Sequence, residues 1–233
     1  MAVSTGIPSG SRIGMKADFR HGELMDRVYR HQAAIYDLTR KYYLLGRDRL
    51  IDDLEMAPDA AILEIACGTG RNLIRIGRRY PEAQLYGVDI SGAMLRQASK
   101  NSSHAAMNWR IRLAKADACA FDPQMTLKRA QFDRIVFSYC LSMIPDWQGA
   151  LEHAVTMLAP GGRIHIVDFG AQDRLPRWFG GGIRWWLSKF HVAPRPDLGD
   201  ALHRIAAAHG LQAETRSHCR GYAVIATLRR PAA

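Results

Sequence analysis

The sequence predicts a single α/β domain on a mainly parallel sheet, and three observations carry that expectation. From residue 61 onward, short apolar segments alternate with helix-patterned ones, the arrangement of strand, crossover helix and parallel strand. A Gly-rich turn, Gly68-Thr69-Gly70, joins the first apolar segment to a helical one, as in nucleotide-type sites. The composition, 48% hydrophobic and 23% charged over 233 residues with 20 Gly and 10 Pro, is that of an ordinary globular chain.

Seven strands follow from the apolar segments: Ala61 to Ala66, Gln84 to Val88, Trp109 to Lys115, Phe132 to Phe137, Arg163 to Asp168, Leu211 to His218 and Tyr222 to Leu228. Helices fill the gaps. Arg71 to Arg79 is stopped by Pro81, and Gly92 to Lys100 follows Ser91, a good N-cap. Asp146 to Leu158 ends before Pro160-Gly161-Gly162, and Leu198 to His209 is closed by Gly210. Residues 21 to 56 are basic and rich in tyrosine and are expected to form one or two helices ahead of the sheet. Residues 1 to 20 read as a disordered leader, so the domain itself covers 21 to 233. Residues 170 to 196 fit no regular element and read as an insertion after the fifth strand.

Charge-free stretches are short, as at Ile135 to Pro145, whereas a spanning helix needs about 20 mostly apolar residues. The first residues lack the apolar core of a signal peptide, so a cytoplasmic protein is expected. The 32 Lys and Arg against 22 Asp and Glu leave a net charge of +10, which favours a polyanionic partner, nucleic acid or an anionic lipid surface. Cys67, Cys119, Cys140 and Cys219 show neither C-x-x-C spacing nor a neighbouring His pair. They read as reduced, mostly buried thiols, and no metal site is expected.

In the loop after the first strand, Gly68 and Gly70 let the backbone approach a ligand. A dinucleotide fingerprint wants a third Gly where Leu73 stands. Asp89 ends the second strand about twenty residues on, where a carboxylate can accept from both ribose hydroxyls. Its alternative is helix capping, a role that Ser91 already offers. Glu64 is either a carboxylate capping the loop or the partner of a cationic ligand group, and Asp117 either caps a turn or reaches an adenine amino group. Asp133, at the start of a strand, reads as structural. Asp168, at the carboxyl end of the fifth strand, either holds an amine or caps backbone.

Taken in order, these residues resemble the class I S-adenosylmethionine-dependent methyltransferases over residues 36 to 228. Glu64 to Gly70 is similar to the family's E-x-G-x-G-x-G loop, and Asp89 to its ribose carboxylate. Ala116-Asp117-Ala118 resembles its adenine contact, Phe132 to Ser138 its fourth strand, and Leu158-Ala159-Pro160-Gly161-Gly162 its turn before the fifth. One position departs: Ala66 replaces the first Gly of the loop, which should tighten the space beside the methionyl group. The resemblance implies a Rossmann-like sheet of seven strands in the order 3-2-1-4-5-7-6, strand 7 antiparallel, with N-terminal lid helices. It also implies S-adenosyl-L-methionine as cofactor, held by Arg47, Glu64, Gly68, Gly70, Asn72, Asp89, Ile90, Met94, Asp117, Ala118 and Ser138.

Methyl transfer from a sulfonium depends on positioning an acceptor lone pair in line and on desolvation, so no catalytic triad is expected. Tyr29, Tyr36 and Tyr43 recur every seven residues, which stacks them on one helical face, either as core or over the site. Tyr139 either flanks the methyl position at the end of strand four or packs in the core. Met25 to Arg49, together with Arg71-Asn72-Leu73 and Arg174-Leu175-Pro176-Arg177-Trp178-Phe179, is similar to the bacterial diacylglyceryl homoserine N-methyltransferases of betaine-lipid synthesis. That resemblance implies three successive methylations of a homoserine amine, with Tyr36, Tyr139 and Tyr29 as catalytic residues and Arg30 or Arg47 holding the substrate carboxylate.

Inside the insertion, Leu175, Phe179, Ile183, Trp186 and Phe190 follow helical steps, with Arg174, Arg177, Arg184 and Lys189 beside them. Such a pattern suits a membrane interface or a lid packed on its own domain. The expected partners are therefore an amine-bearing glycerolipid and an anionic membrane surface, with the chain held peripherally at the inner face of the cytoplasmic membrane. Nucleic acid is not expected as a partner, and oligomeric state stays open. Alternative acceptors are phosphatidylethanolamine, then a quinone carbon or a nucleic acid.

Overall fold

The computed structural model describes residues 44–172 and 193–232. The described elements are α1 (Arg47–Asp52), β1 (Ala61–Ile65), α2 (Arg71–Arg79), β2 (Gln84–Asp89), α3 (Gly92–His104), β3 (Ile111–Lys115), α4 (Pro123–Leu127), β4 (Phe132–Ser138), α5 (Trp147–Thr156), β5 (Leu158–Phe169), α6 (Leu198–His209), β6 (Gln212–His218) and β7 (Ala223–Arg229). The seven strands form one sheet in the order β3-β2-β1-β4-β5-β7-β6. β1 to β5 pair in parallel, and β7 runs antiparallel to both β5 and β6. The expected order and the reversed last strand are both present.

The central strands are largely buried on both faces, which is why they read as mostly apolar runs. Ala61, Leu63 and Ile65 of β1 join one core with Leu151 and Ala154 of α5 and Leu202 and Ile205 of α6. Ile62, from the opposite side of the same strand, joins a second core with Leu50 of α1 and Leu73 and Ile76 of α2. Alternation therefore puts Glu64 on the α1 and α2 side of the sheet. Gly87 of β2 allows α2 to close on that side, since a Cβ there would lie 2.7 Å from Leu73 Cδ1 and 2.9 Å from Cys67 Sγ.

Several expected boundaries need correction. Trp109 does not start β3; it stands 79% exposed in the turn before Ile111. β5 begins at Leu158 rather than Arg163. Phe132 pairs with Leu158 and Arg134 with Arg163, so the Pro160-Gly161-Gly162 turn is carried as an irregularity within a continuing strand. The short α4 was not foreseen, although Asp122 caps it and Pro123 opens it. Of the four free cysteines, Cys67 and Cys140 are buried, Cys119 is half-buried and Cys219 is exposed, so two rather than most are buried. Of the expected helices at residues 21 to 56, only α1 lies within the described residues, and most of the insertion at 170 to 196 lies outside them.

Candidate active site

The site lies at the carboxyl edge of the sheet, where β1 neighbours β2 on one side and β4 on the other. The order in which strands are added reverses there, and the loops leaving β1 and β4 diverge to open a crevice. The β1 to α2 loop turns on Gly68 and Gly70, at φ +56° and +74°. A Cβ on Gly68 would meet nothing within 4 Å, so the space before it is open; one on Gly70 would lie 3.2 Å from Ala98 Cβ. Gly70 thus serves the packing of α2 against α3, and Gly68 leaves room for a ligand.

Asp89 fixes this loop. Its Oδ2 accepts from Gly68 N–H at 2.8 Å and its Oδ1 from Ser91 N–H at 2.8 Å, while Ser91 Oγ caps α3 by accepting from Met94 N–H at 3.2 Å. The carboxylate is only 8% exposed. It borders a cavity of about 450 Å³ that Ile90, Asp117 and Ala118 also line. Four of the expected cofactor residues therefore meet around one space. Asp117 Oδ1 accepts from Cys119 N–H at 2.9 Å, which fixes its carboxylate at the rim. Ile144, Pro145 and Asp146 complete the wall. These three were missed, although the connection after β4 borders the switch point and its topology would have pointed to them.

A second group lies on the α1 and α2 side. Glu64 Oε1 accepts from Asn72 Nδ2 at 2.7 Å, with both side chains buried. Glu64 Oε2 and Asn72 Oδ1 have no hydrogen-bond partner among the described residues. Burial pushes the Glu64 carboxyl up to about 8, against the opposing pull of the Asn72 hydrogen bond and the nearby Arg47 guanidinium. Arg47 is itself 8% exposed, brought there by the first turn of α1. A buried acid, a guanidinium and an amide oxygen together match an α-amino acid zwitterion, with the acid facing its ammonium.

The remaining positions divide. Ser138 ends β4, and its Oγ is buried without a hydrogen-bond partner among the described residues. Met94 is buried in the first turn of α3. Tyr139 is 3% exposed, packs edge-on against Phe169 with ring centroids 4.7 Å apart, and donates its hydroxyl to the Leu45 carbonyl. It does not line the cavity; its geometry is that of core packing. Asp133 is structural, accepting from Ala61 N–H at 2.8 Å. Asp168 caps backbone, accepting from Ser142 N–H at 3.2 Å and Phe169 N–H at 2.7 Å, and burial raises its carboxyl. Tyr29, Tyr36 and Arg30 lie outside the described residues.

Residues 62–162 match the model of a family described as a methyltransferase domain. That stretch is similar to a methyltransferase domain, and the order of the seven strands is that of the class I methyltransferase fold, whose cofactor is S-adenosylmethionine. Among relatives, it is 29% identical over 160 residues to a ubiquinone/menaquinone biosynthesis C-methyltransferase UbiE of Syntrophotalea carbinolica, covering 66% of this chain and 65% of that protein. A UbiE of Cereibacter sphaeroides is 27% identical over 201 residues, 84% of this chain and 73% of that one. A demethylmenaquinone methyltransferase of Thermus thermophilus is 31% identical over 140 residues, 58% and 60% of the two chains. This chain thus spans under two thirds of some relatives it matches. Among solved structures, phosphoethanolamine N-methyltransferase 2 of Haemonchus contortus in complex with S-adenosyl-L-methionine superposes with a TM-score of 0.68 at 16% identity, over 91% of this chain and 60% of that one. An O-methyltransferase family protein of Burkholderia thailandensis gives 0.66 at 16% identity, over 88% and 62%. These likenesses concern the fold. None of these names is that of a betaine-lipid enzyme.

The two groups of residues fit the two ends of that cofactor. Glu64, Asn72 and Arg47 would hold the amino-acid end, while Asp89 would take the ribose and Ile90, Asp117 and Ala118 the adenine. When bound, S-adenosylmethionine supplies an electrophilic methyl group on a sulfonium. The chain's own contribution is to orient and to exclude water: Asp89 holds the loop, and the buried Glu64 offers an acceptor that no water competes for.

Proposed function

We propose that the chain is an N-methyltransferase acting on an amine-bearing glycerolipid, adding three methyl groups in turn to the homoserine amine of diacylglyceryl homoserine. The observation that carries the choice of nitrogen is how the carboxylates at the carboxyl edge are used. Asp89 and Asp168 each accept two backbone N–H bonds, and Asp117 accepts one from Cys119. Glu64 sits at the end suited to an ammonium. A phenolic acceptor needs its proton withdrawn, whereas an amine needs only to be neutral, which burial favours. The headgroup itself rests on the resemblance of Met25 to Arg49 and of Arg174 to Phe179. Because Arg47 lies beside Glu64, Arg30 becomes the candidate for the homoserine carboxylate.

A second reading is methylation of a quinone carbon, favoured by the printed names of the relatives. Incubating the chain and cofactor with diacylglyceryl homoserine, phosphatidylethanolamine and a demethylmenaquinone, and following methyl increments by mass, separates the acceptors. Stepwise mono-, di- and trimethyl products on the homoserine lipid are expected. A single methyl on the quinone with none on either lipid would replace the first reading with the second.

A further inference from the structure

On the α1 side of the sheet, away from the cofactor cavity, lies a pocket of about 320 Å³. The antiparallel register builds its floor. Arg163 pairs with Arg229 and that with Gln212; two residues along, His165 pairs with Thr227 and that with Glu214; two further, Val167 pairs with Ile225 and that with Arg216. Positions two apart share a face, so these rows lie side by side under one space. Arg49 and Asp53 wall it from α1 and the following turn, with Glu55 beyond. It shares no lining residue with the cofactor cavity.

Its acids are already engaged. Asp53 meets Arg49 Nε at 3.0 Å, Glu55 meets Arg163 Nη1 at 2.7 Å and Glu214 meets Arg216 Nη2 at 3.0 Å. No ion pair engages Arg229 among the described residues. His165 is 3% exposed, lines the pocket, and has no hydrogen-bond partner at Nε2 among the described residues. Burial and the Arg134 and Arg163 guanidiniums push its imidazole down to about 3, so the ring is neutral and one nitrogen carries a proton. The pocket therefore holds a surplus of donors over acceptors. The carboxylates that a metal cation would need are spent, and no cluster of three metal-ligating side chains gathers among the described residues.

We propose that this pocket binds a phosphate-type oxyanion, with Arg229 and Arg163 clasping its oxygens from the floor and His165 donating from beneath. A tetrahedral anion supplies the several acceptor oxygens that a set of guanidinium forks can share. The same chemistry reaches the protein from two sources, a free phosphate or the phosphate of a lipid headgroup.

The test uses the full chain, with the ring resonances of His165 followed by NMR at constant ionic strength. One arm adds inorganic phosphate, the other vesicles of phosphatidylcholine with or without phosphatidate. A saturable shift with phosphate, or with phosphatidate vesicles alone, supports the pocket and names its source. Arg229→Gln should weaken that response about tenfold, the loss of one charge-assisted contact. Arg216→Gln, at an exposed position, provides a second variant should the first fold poorly. Cofactor affinity should be unchanged in both. No shift in either arm, or a linear shift equal in the parent and both variants, would overturn the assignment.

Discussion

Glu64 is an acid held in its neutral form by burial, and this sets a sign for the pH dependence of both stability and binding. Its folded value is about 8 against an ordinary 4.5. The folded chain therefore keeps a proton that the unfolded chain releases, so the stability it contributes is fully present below pH 4.5, falls between 4.5 and 8, and is gone above 8. The loss is on the order of a few kcal/mol. Denaturant titrations of the cofactor-free protein across this range should show the decline, and Glu64→Gln should flatten it. Binding the cofactor's ammonium needs the ionised acid, so affinity should rise toward pH 8 with proton release. Calorimetry in buffers of differing ionisation enthalpy measures that release. In the Gln variant it should vanish, with affinity lower by about 1 to 3 kcal/mol.

Ala66 occupies the place of a family glycine, and its backbone shows why glycine suits it: φ is +53°. A left-handed conformation costs a residue with a Cβ about 1–2 kcal/mol. Glycine's greater unfolded-state freedom takes back up to about 1 kcal/mol. Ala66→Gly should therefore raise stability by about 0 to 2 kcal/mol, as read from the denaturation midpoint, while widening a wall of the cofactor cavity.

At the level of elements, α5 depends on a cap that also borders the cavity. Asp146 Oδ1 accepts from Gly149 N–H at 2.9 Å, and Asp146 lines the nucleoside space. A helical Gly→Ala change ordinarily gains about 1 kcal/mol. Here a Cβ on Gly149 would collide with the capping carboxylate of Asp146. Gly149→Ala should therefore forgo that gain, the disturbed cap costing about the same 1 kcal/mol, and loosen cofactor binding, measured by thermal melts with and without ligand. β1, β2 and β4 were legible because strands buried on both faces read as mostly apolar runs, broken only by a few polar residues such as Glu64 and Asp133. The start of β5 was not, since Pro160-Gly161-Gly162 reads as a stop, whereas Gly161 at φ +72° lets the chain bend and resume pairing. Around the cavity, the placement of Asp89 and Asp117 was legible from motif order. Ile144 and Pro145 were not, because a cavity wall assembled by topology leaves no local pattern.

For the molecule as a whole, the net charge of +10 is a long-range property that the fold does not consume. No helix among the described residues is long and apolar enough to cross a membrane. With each basic residue near an anionic surface contributing about 1 kcal/mol, the chain should float with anionic vesicles at low salt and release at high salt. Trp185→Ala with Trp186→Ala should reduce flotation; undiminished flotation would remove the segment after β5 from the contact.

The placement of β7 between β5 and β6 has a consequence in time. Among the described residues β6 joins the sheet through β7, which is synthesised after it. While a ribosome is still adding residues beyond Tyr222, β5 has an open edge and β6 has no neighbour, with Ala226 and Leu228 still missing from the core. The nascent chain therefore waits, with five of the seven strands able to pair, for Ala223 to Arg229. A message truncated within that stretch should yield a product that holdase chaperones retain and proteases clear, however intact its cofactor loop.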